Sequence, residues 1–86
     1  MQLPPEDLKS VITRLKRANG HLESVIRMLQ EGADCEDALT QLAAVNKAIS
    51  RGGYALVATG LQWCLTDEDS GDVDVQRLEK LFLALA

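Results

Sequence analysis

Apolar side chains recur along the first third of the chain at Leu8, Val11, Ile12, Leu15, Ala18, Leu22, Val25, Ile26 and Leu29. The steps are three and four residues, which an α-helix gathers onto one stripe. The pattern predicts a helix over residues 6–30. Pro4-Pro5 followed by Glu6-Asp7 suits its start, because proline is tolerated in a first turn and acids favour the positive end of the helix dipole. Glu31-Gly32 suits its end, with glycine as the C-terminal cap. Gly20 interrupts the stripe at a cost of roughly 1 kcal/mol against alanine, and its small size suggests the close approach of another helix.

A second stripe follows at Cys35, Leu39, Leu42, Asn46, Ile49, Gly53, Leu56, Gly60 and Trp63-Cys64. Asp34 has the character of an N-cap. The segment has no proline and many alanines, so it predicts one long helix over residues 34–65. Gly52-Gly53 is its weakest point, and two helices broken there are the alternative. Asn46 on this stripe is expected to fix register through a buried hydrogen bond. The acidic stretch Asp67-Glu68-Asp69 has the look of a solvated turn. A short third helix is predicted over residues 73–85, with Val75, Leu78, Leu81, Phe82 and Leu85 apolar. No strand alternation, repeat or low-complexity tract interrupts this all-α pattern, and residues 1–86 form a single domain.

The long helix has a structural consequence. At 1.5 Å per residue it spans ~48 Å, whereas a compact chain of this length has a radius of gyration near ~12 Å. One chain cannot cover both faces of such a helix. The economical solution is a three-helix protomer whose antiparallel hairpin pairs with a second copy as a four-helix bundle.

The two cysteines acquire meaning within that arrangement. Cys35 and Cys64 stand 29 residues apart. On one unbroken helix that separation is ~44 Å, and the residual rotation is only about 20°. The thiols then share a face at opposite ends and cannot meet within one chain. An antiparallel pair of these helices brings Cys35 of one protomer beside Cys64 of its partner, twice per dimer. The helix dipole favours a thiolate at Cys35, and the flanking Asp34, Glu36 and Asp37 oppose it. The alternative is that both cysteines are small core residues.

Charge sharpens the picture. The chain has 9 Lys and Arg against 13 Asp and Glu, a net charge of −4, yet the balance is uneven. Residues 1–30 sum to +2 and residues 65–86 to −4. Arg14, Arg17 and His21 share one face of the first helix, and Lys47 and Arg51 are one turn apart on the second. Such a face suits a polyanion or a solvated surface. With only Tyr54, Trp63 and Phe82 aromatic, no platform exists for stacking unpaired bases. No apolar run is long enough for a membrane span, and the N-terminus lacks the features of a signal peptide. The chain reads as cytoplasmic. No nucleophile–base pair or phosphate loop suggests an enzyme.

Three stretches, Arg14-Leu15-Lys16-Arg17-Ala18-Asn19-Gly20-His21, Asp34-Cys35-Glu36-Asp37-Ala38-Leu39-Thr40-Gln41-Leu42-Ala43-Ala44-Val45 and Gly60-Leu61-Gln62-Trp63-Cys64, resemble the copper-sensitive operon repressor family of bacterial regulators. The resemblance covers residues 6–85. It implies a dimer-of-dimers tetramer that binds operator DNA, with Arg14 and Arg51 in the DNA-contacting set and Arg17 and Lys47 beside them. The family's copper sensors bind Cu(I) with a cysteine from one chain and a histidine and cysteine, four residues apart, from the other. Carried over, Cys35 and Cys64 match and the histidine position falls on Gly60. The nickel/cobalt branch needs an N-terminal histidine, which is absent here. The formaldehyde branch resembles a start with proline after the initiator, where this chain has Gln2.

Two cysteines without the histidine are similar to the persulfide-sensing branch. The resemblance therefore implies a repressor with Cys35 and Cys64 as sensing thiols, sulfane-sulfur donors as inducers and no metal cofactor. It would release operator DNA ahead of genes that handle sulfide. A Cu(I) sensor using the two thiolates is the nearest alternative. A helical oligomerisation module with inert cysteines is a further one. His21 stands where the family usually has glutamine and reads as a surface or DNA-side residue rather than a metal ligand. Trp63 reads as packing beside Cys64.

Overall fold

The computed structural model describes residues 2–66 and 72–85. A 3-10 turn, Pro5–Leu8, leads into α1, Lys9–Gln30. Helix α2 is Cys35–Thr66 and α3 is Asp72–Leu85. The described residues contain no strand. The first helix differs from expectation at its start, where the proline pair winds a tighter turn, with Asp7 N–H donating to the Pro4 carbonyl at 3.0 Å. Asp67, Glu68 and Asp69 lie outside the described residues.

Local chemistry explains the ends of the hairpin. Gly32 adopts φ +80°, a left-handed conformation that suits glycine. Ala33 N–H donates to Met28 O at 2.8 Å and Gly32 N–H to Leu29 O at 3.3 Å. This is a Schellman termination, and it satisfies carbonyls that the helix leaves open. Two residues later Asp34 Oδ2 accepts from Glu36 N–H at 3.0 Å and Asp37 N–H at 3.3 Å, capping α2. The connection is short, so α1 and α2 lie side by side and antiparallel.

The seam between them has a period of seven. Val11, Ala18 and Val25 of α1 are buried, and so are Ala38, Val45 and Gly52 of α2. Small side chains every two turns bring the helices close. Gly52 is needed there, because a Cβ at this position would stand 2.7 Å from Leu15 Cδ2. Its neighbour Gly53 faces α3, where a Cβ would stand 2.8 Å from Leu85 Cδ1. The glycine pair therefore seats a leucine from each side and does not break α2. Gly20 serves no such purpose in the protomer, since a Cβ there would meet nothing within 4 Å.

Helix α3 runs antiparallel to α2 along its second half. Leu78 is its buried residue among those described, and the rings of Tyr54 and Phe82 meet with centroids 5.2 Å apart and planes tilted by 44°. The molecule measures 53 × 25 × 13 Å with a radius of gyration of 16.3 Å. Its thinnest dimension is close to one helix diameter of ~10–12 Å, so the protomer is a single layer of helices. At about 100° per residue, Ile12, Leu15, Ile26 and Leu29 of α1 fall on the same side of that layer as Leu39, Leu42 and Ile49 of α2, and all are exposed. Asn46 lies among them and is also exposed. The buried hydrogen bond expected of it is not made within one chain, because a single layer buries nothing on that side.

Candidate functional site

The opposite side of the layer carries the cations. Arg14, Arg17 and His21 of α1 line a groove with Arg51 of α2, and Ala18 and Ala48 lie between them. The seam explains the gathering. Ala18 sits in the heptad column and Arg14, Arg17 and His21 follow one flank of it, while Ala48 is too small to fill the gap. A hydrogen bond of 2.7 Å joins His21 Nε2 to Gln41 Oε1 and ties α1 to α2 across this face. His21 therefore stands in the basic groove. Lys47 is exposed one turn before Arg51, outside the groove lining.

The basic surface is longer than the arginine spacing predicts. Lys9, Ser10 and Thr13 line a second depression with Arg14 and Arg17. The signal for it is present in the chain: Lys9, Thr13 and Arg17 follow one another at four-residue steps along one helix flank. Among the described residues no carboxylate lines either depression, so the groove is rich in arginine and lysine charge. Backbone phosphates are the natural counter-charge for such a groove.

The thiol positions lie at the two ends of α2. Cys35 is the first residue of the helix, immediately after the Asp34 cap, and its side chain is exposed and free. Glu36 and Asp37 share its turn. Cys64 belongs to the last turn of the same unbroken helix. Their axial separation of ~44 Å puts a direct bond within one chain out of reach. Among the described residues no group of three or more His, Cys, Asp or Glu side chains is placed to hold a metal ion.

Gly60, one turn before Cys64, is buried. A Cβ there would lie 3.3 Å and 3.4 Å from the two Leu78 methyls of α3 and 3.8 Å from Leu3 Cδ1. Among the described residues the surrounding cleft is lined by glycine, alanine and aliphatic side chains. Leu78 and Leu3 are distant from Gly60 in the chain, and no sequence pattern pairs them. Trp63 is half-buried and lines a separate depression with Asp7 and Thr59.

Residues 7–85 match the family model of metal-sensitive transcriptional repressors. The chain is 36% identical over 58 residues to the copper-sensing transcriptional repressor CsoR of Mycobacterium ulcerans, covering 67% of this chain and 50% of that protein. It is 31% identical over 58 residues to the copper-sensing transcriptional repressor CsoR of Mycobacterium tuberculosis, covering 67% of this chain and 49% of that protein. These matches span about half the length of either relative. An uncharacterized protein of Bacillus subtilis, YrkD, is 38% identical over 53 residues, 62% of this chain and 84% of that protein. No solved structure matches the chain.

Proposed function

Because the chain belongs to the metal-sensitive transcriptional repressor family, we propose that it is an operator-binding repressor whose inducer is a sulfane-sulfur donor. The observation that carries the reading is Gly60: the position one turn before Cys64 offers no donor atom and lies against an aliphatic wall. What remains for chemistry is a pair of thiols. The family consists of transcriptional repressors rather than enzymes, and no described helix is long and apolar enough to cross a membrane. The proposed compartment is the cytoplasm.

The two sides of the layer divide the work. The leucine-rich side takes a second copy, antiparallel, as a four-helix bundle. Two such dimers assemble as the tetramer, and Asn46 sets register inside the dimer interface. The other side presents Arg14, Arg17 and Arg51, with Lys47 at its margin, to the DNA backbone. Recognition there rests on phosphate contacts and DNA shape, since no helix enters a groove as a reading head.

In the dimer Cys35 faces Cys64 of the partner subunit. The Cys35 thiolate attacks a sulfur of an inorganic polysulfide. The donor S–S bond breaks and its electron pair leaves with the shortened polysulfide, so Cys35 becomes a persulfide. The partner's Cys64 thiolate then attacks Cys35 Sγ within the persulfide, the Sγ–S bond breaks, the outer sulfur leaves as hydrosulfide, and Cys35 and Cys64 are joined. Two thiols are oxidised to a disulfide and the donor is reduced by the same two electrons. A longer added chain, attacked at its penultimate sulfur, leaves one sulfur fewer in the bridge than it brought. The bridge favours a bundle geometry that binds operator poorly, and the population shifts to the released state.

Non-reducing mass spectrometry after exposure to inorganic polysulfide tests this. The expected product is a covalent dimer joined through Cys35 and Cys64, some of it carrying extra sulfur. Unlinked chains combined with tight Cu(I) binding would overturn it. The second reading, a Cu(I)-responsive repressor using the two thiolates, draws support from the copper-sensing relatives and from the affinity of soft Cu(I) for thiolate.

A further inference from the structure

We propose that Leu78 of α3 is a specificity-determining residue, holding the sensor to two-thiol chemistry by sealing the position from which a third donor would approach. The inference rests on the facing-thiol reading above and concerns residues outside the thiol pair.

Positions four apart on a helix are neighbours on one face, so a side chain at position 60 is an in-helix neighbour of position 64. Gly60 is buried, and the space its Cβ would enter ends at the Leu78 methyls, 3.3 and 3.4 Å away. Leu78 is itself only 8% exposed and is the buried residue of α3 among those described. An imidazole at position 60 extends further than a Cβ and is confined to the few rotamers a helix allows. The wall is also chemically wrong for a ligand. A metal-bound histidine ordinarily donates its second ring N–H to a carboxylate, carbonyl or water. Among the described residues no polar side chain lines the cleft, which measures about 450 Å³. Restoring a donor atom at position 60 is therefore insufficient to rebuild a three-donor site. Leu78 must be removed as well.

The test compares Cu(I) affinity, by competition with a chromophoric Cu(I) chelator, for the unaltered protein, Gly60→His, Leu78→Ala, Leu78→Val, and Gly60→His combined with each leucine variant. X-ray absorption at the copper edge reports whether a nitrogen joins the sulfurs. Gly60→His alone is expected to change affinity less than about threefold and to show no nitrogen. The combined variants are expected to gain about tenfold or more over the matching leucine variant, about 1.4 kcal/mol, with nitrogen present. Leu78→Val keeps a shorter apolar contact should Leu78→Ala unfold α3, which circular dichroism reads. Full gain with nitrogen from Gly60→His alone would overturn the proposal. So would its absence from combined variants that remain helical. Polysulfide bridging in the unaltered protein is scored separately. Its failure removes the persulfide reading while the copper comparison still decides the role of Leu78.

Discussion

Helix α2 has two neighbours, and it holds them in different ways. Against α1 it presents a heptad column of small residues, Ala38, Val45 and Gly52, facing Val11, Ala18 and Val25. Against α3 it presents glycines that receive single leucines, Gly60 for Leu78 and Gly53 for Leu85. The first contact is long and repetitive, and it leaves one side of the layer apolar and the other basic. The second is short and, among the described residues of α3, buries only Leu78. A long contact without large side chains makes a hairpin whose apolar side stays open within the protomer. A short contact centred on one leucine makes an appendage that opens more easily than the hairpin it covers.

The largest effect should come from the first contact. Val45 is 1% exposed, and Val45→Asp would bury an unpaired charge at the centre of the seam. The cost is several kcal/mol, a large part of the ~5–15 kcal/mol that stabilises a whole domain. Circular dichroism should show loss of helix and of cooperative thermal unfolding. Retained cooperativity would mean the seam is not the core. Leu42→Glu with Ile49→Glu addresses the open apolar side of the same contact. Sedimentation should shift to the monomer while α1–α2 contacts need no rearrangement. An unchanged oligomer would place the partner on another surface.

The α2–α3 contact should be smaller and local. Leu78→Ala removes the buried anchor, for which core leucine truncations cost about 2–5 kcal/mol. Hydrogen exchange should quicken in α3 and change little at Val25 and Val45. Uniform loss of protection would show that α3 and the hairpin form one cooperative unit. The smallest effect on stability should come from the basic side. Arg51→Ala should alter stability within about 0.5 kcal/mol and weaken operator binding. The slope of log affinity against log salt should flatten by about 0.9 for each phosphate the arginine neutralises. An unaltered salt slope would remove Arg51 from the DNA face.

The helices themselves are legible in the sequence because their signals are local. The Asp34 cap, the Gly32 termination and the stripes of α1 and α2 depend on residues within a few positions of one another, and the structure has them where the pattern places them. The basic groove is partly legible. Arg14, Arg17 and His21 share a helix flank by spacing alone, but their meeting with Arg51 depends on how the hairpin closes. Lys9 extends the groove at a regular spacing from Arg17, a signal weaker than the arginine cluster beside it. Asn46 and Gly20 face outward in the one-layer protomer, so the neighbour each pattern suggests is not supplied by a helix of the same chain.

Sequence alone determined an all-helical chain with one helix too long for a compact monomer, two thiols at its ends and a cationic flank on α1. Periodicity, capping and the 1.5 Å rise are properties of neighbouring residues, so they need no knowledge of the rest of the molecule. Only the tertiary structure decided why α2 tolerates Gly52-Gly53, which surfaces of the layer are apolar and basic, and what stands over Gly60. Those depend on leucines from separate segments, Leu15 of α1 and Leu78 and Leu85 of α3, arriving at backbone without side chains. Contacts between residues far apart in the chain arise from packing, and no local pattern encodes which leucine meets which glycine.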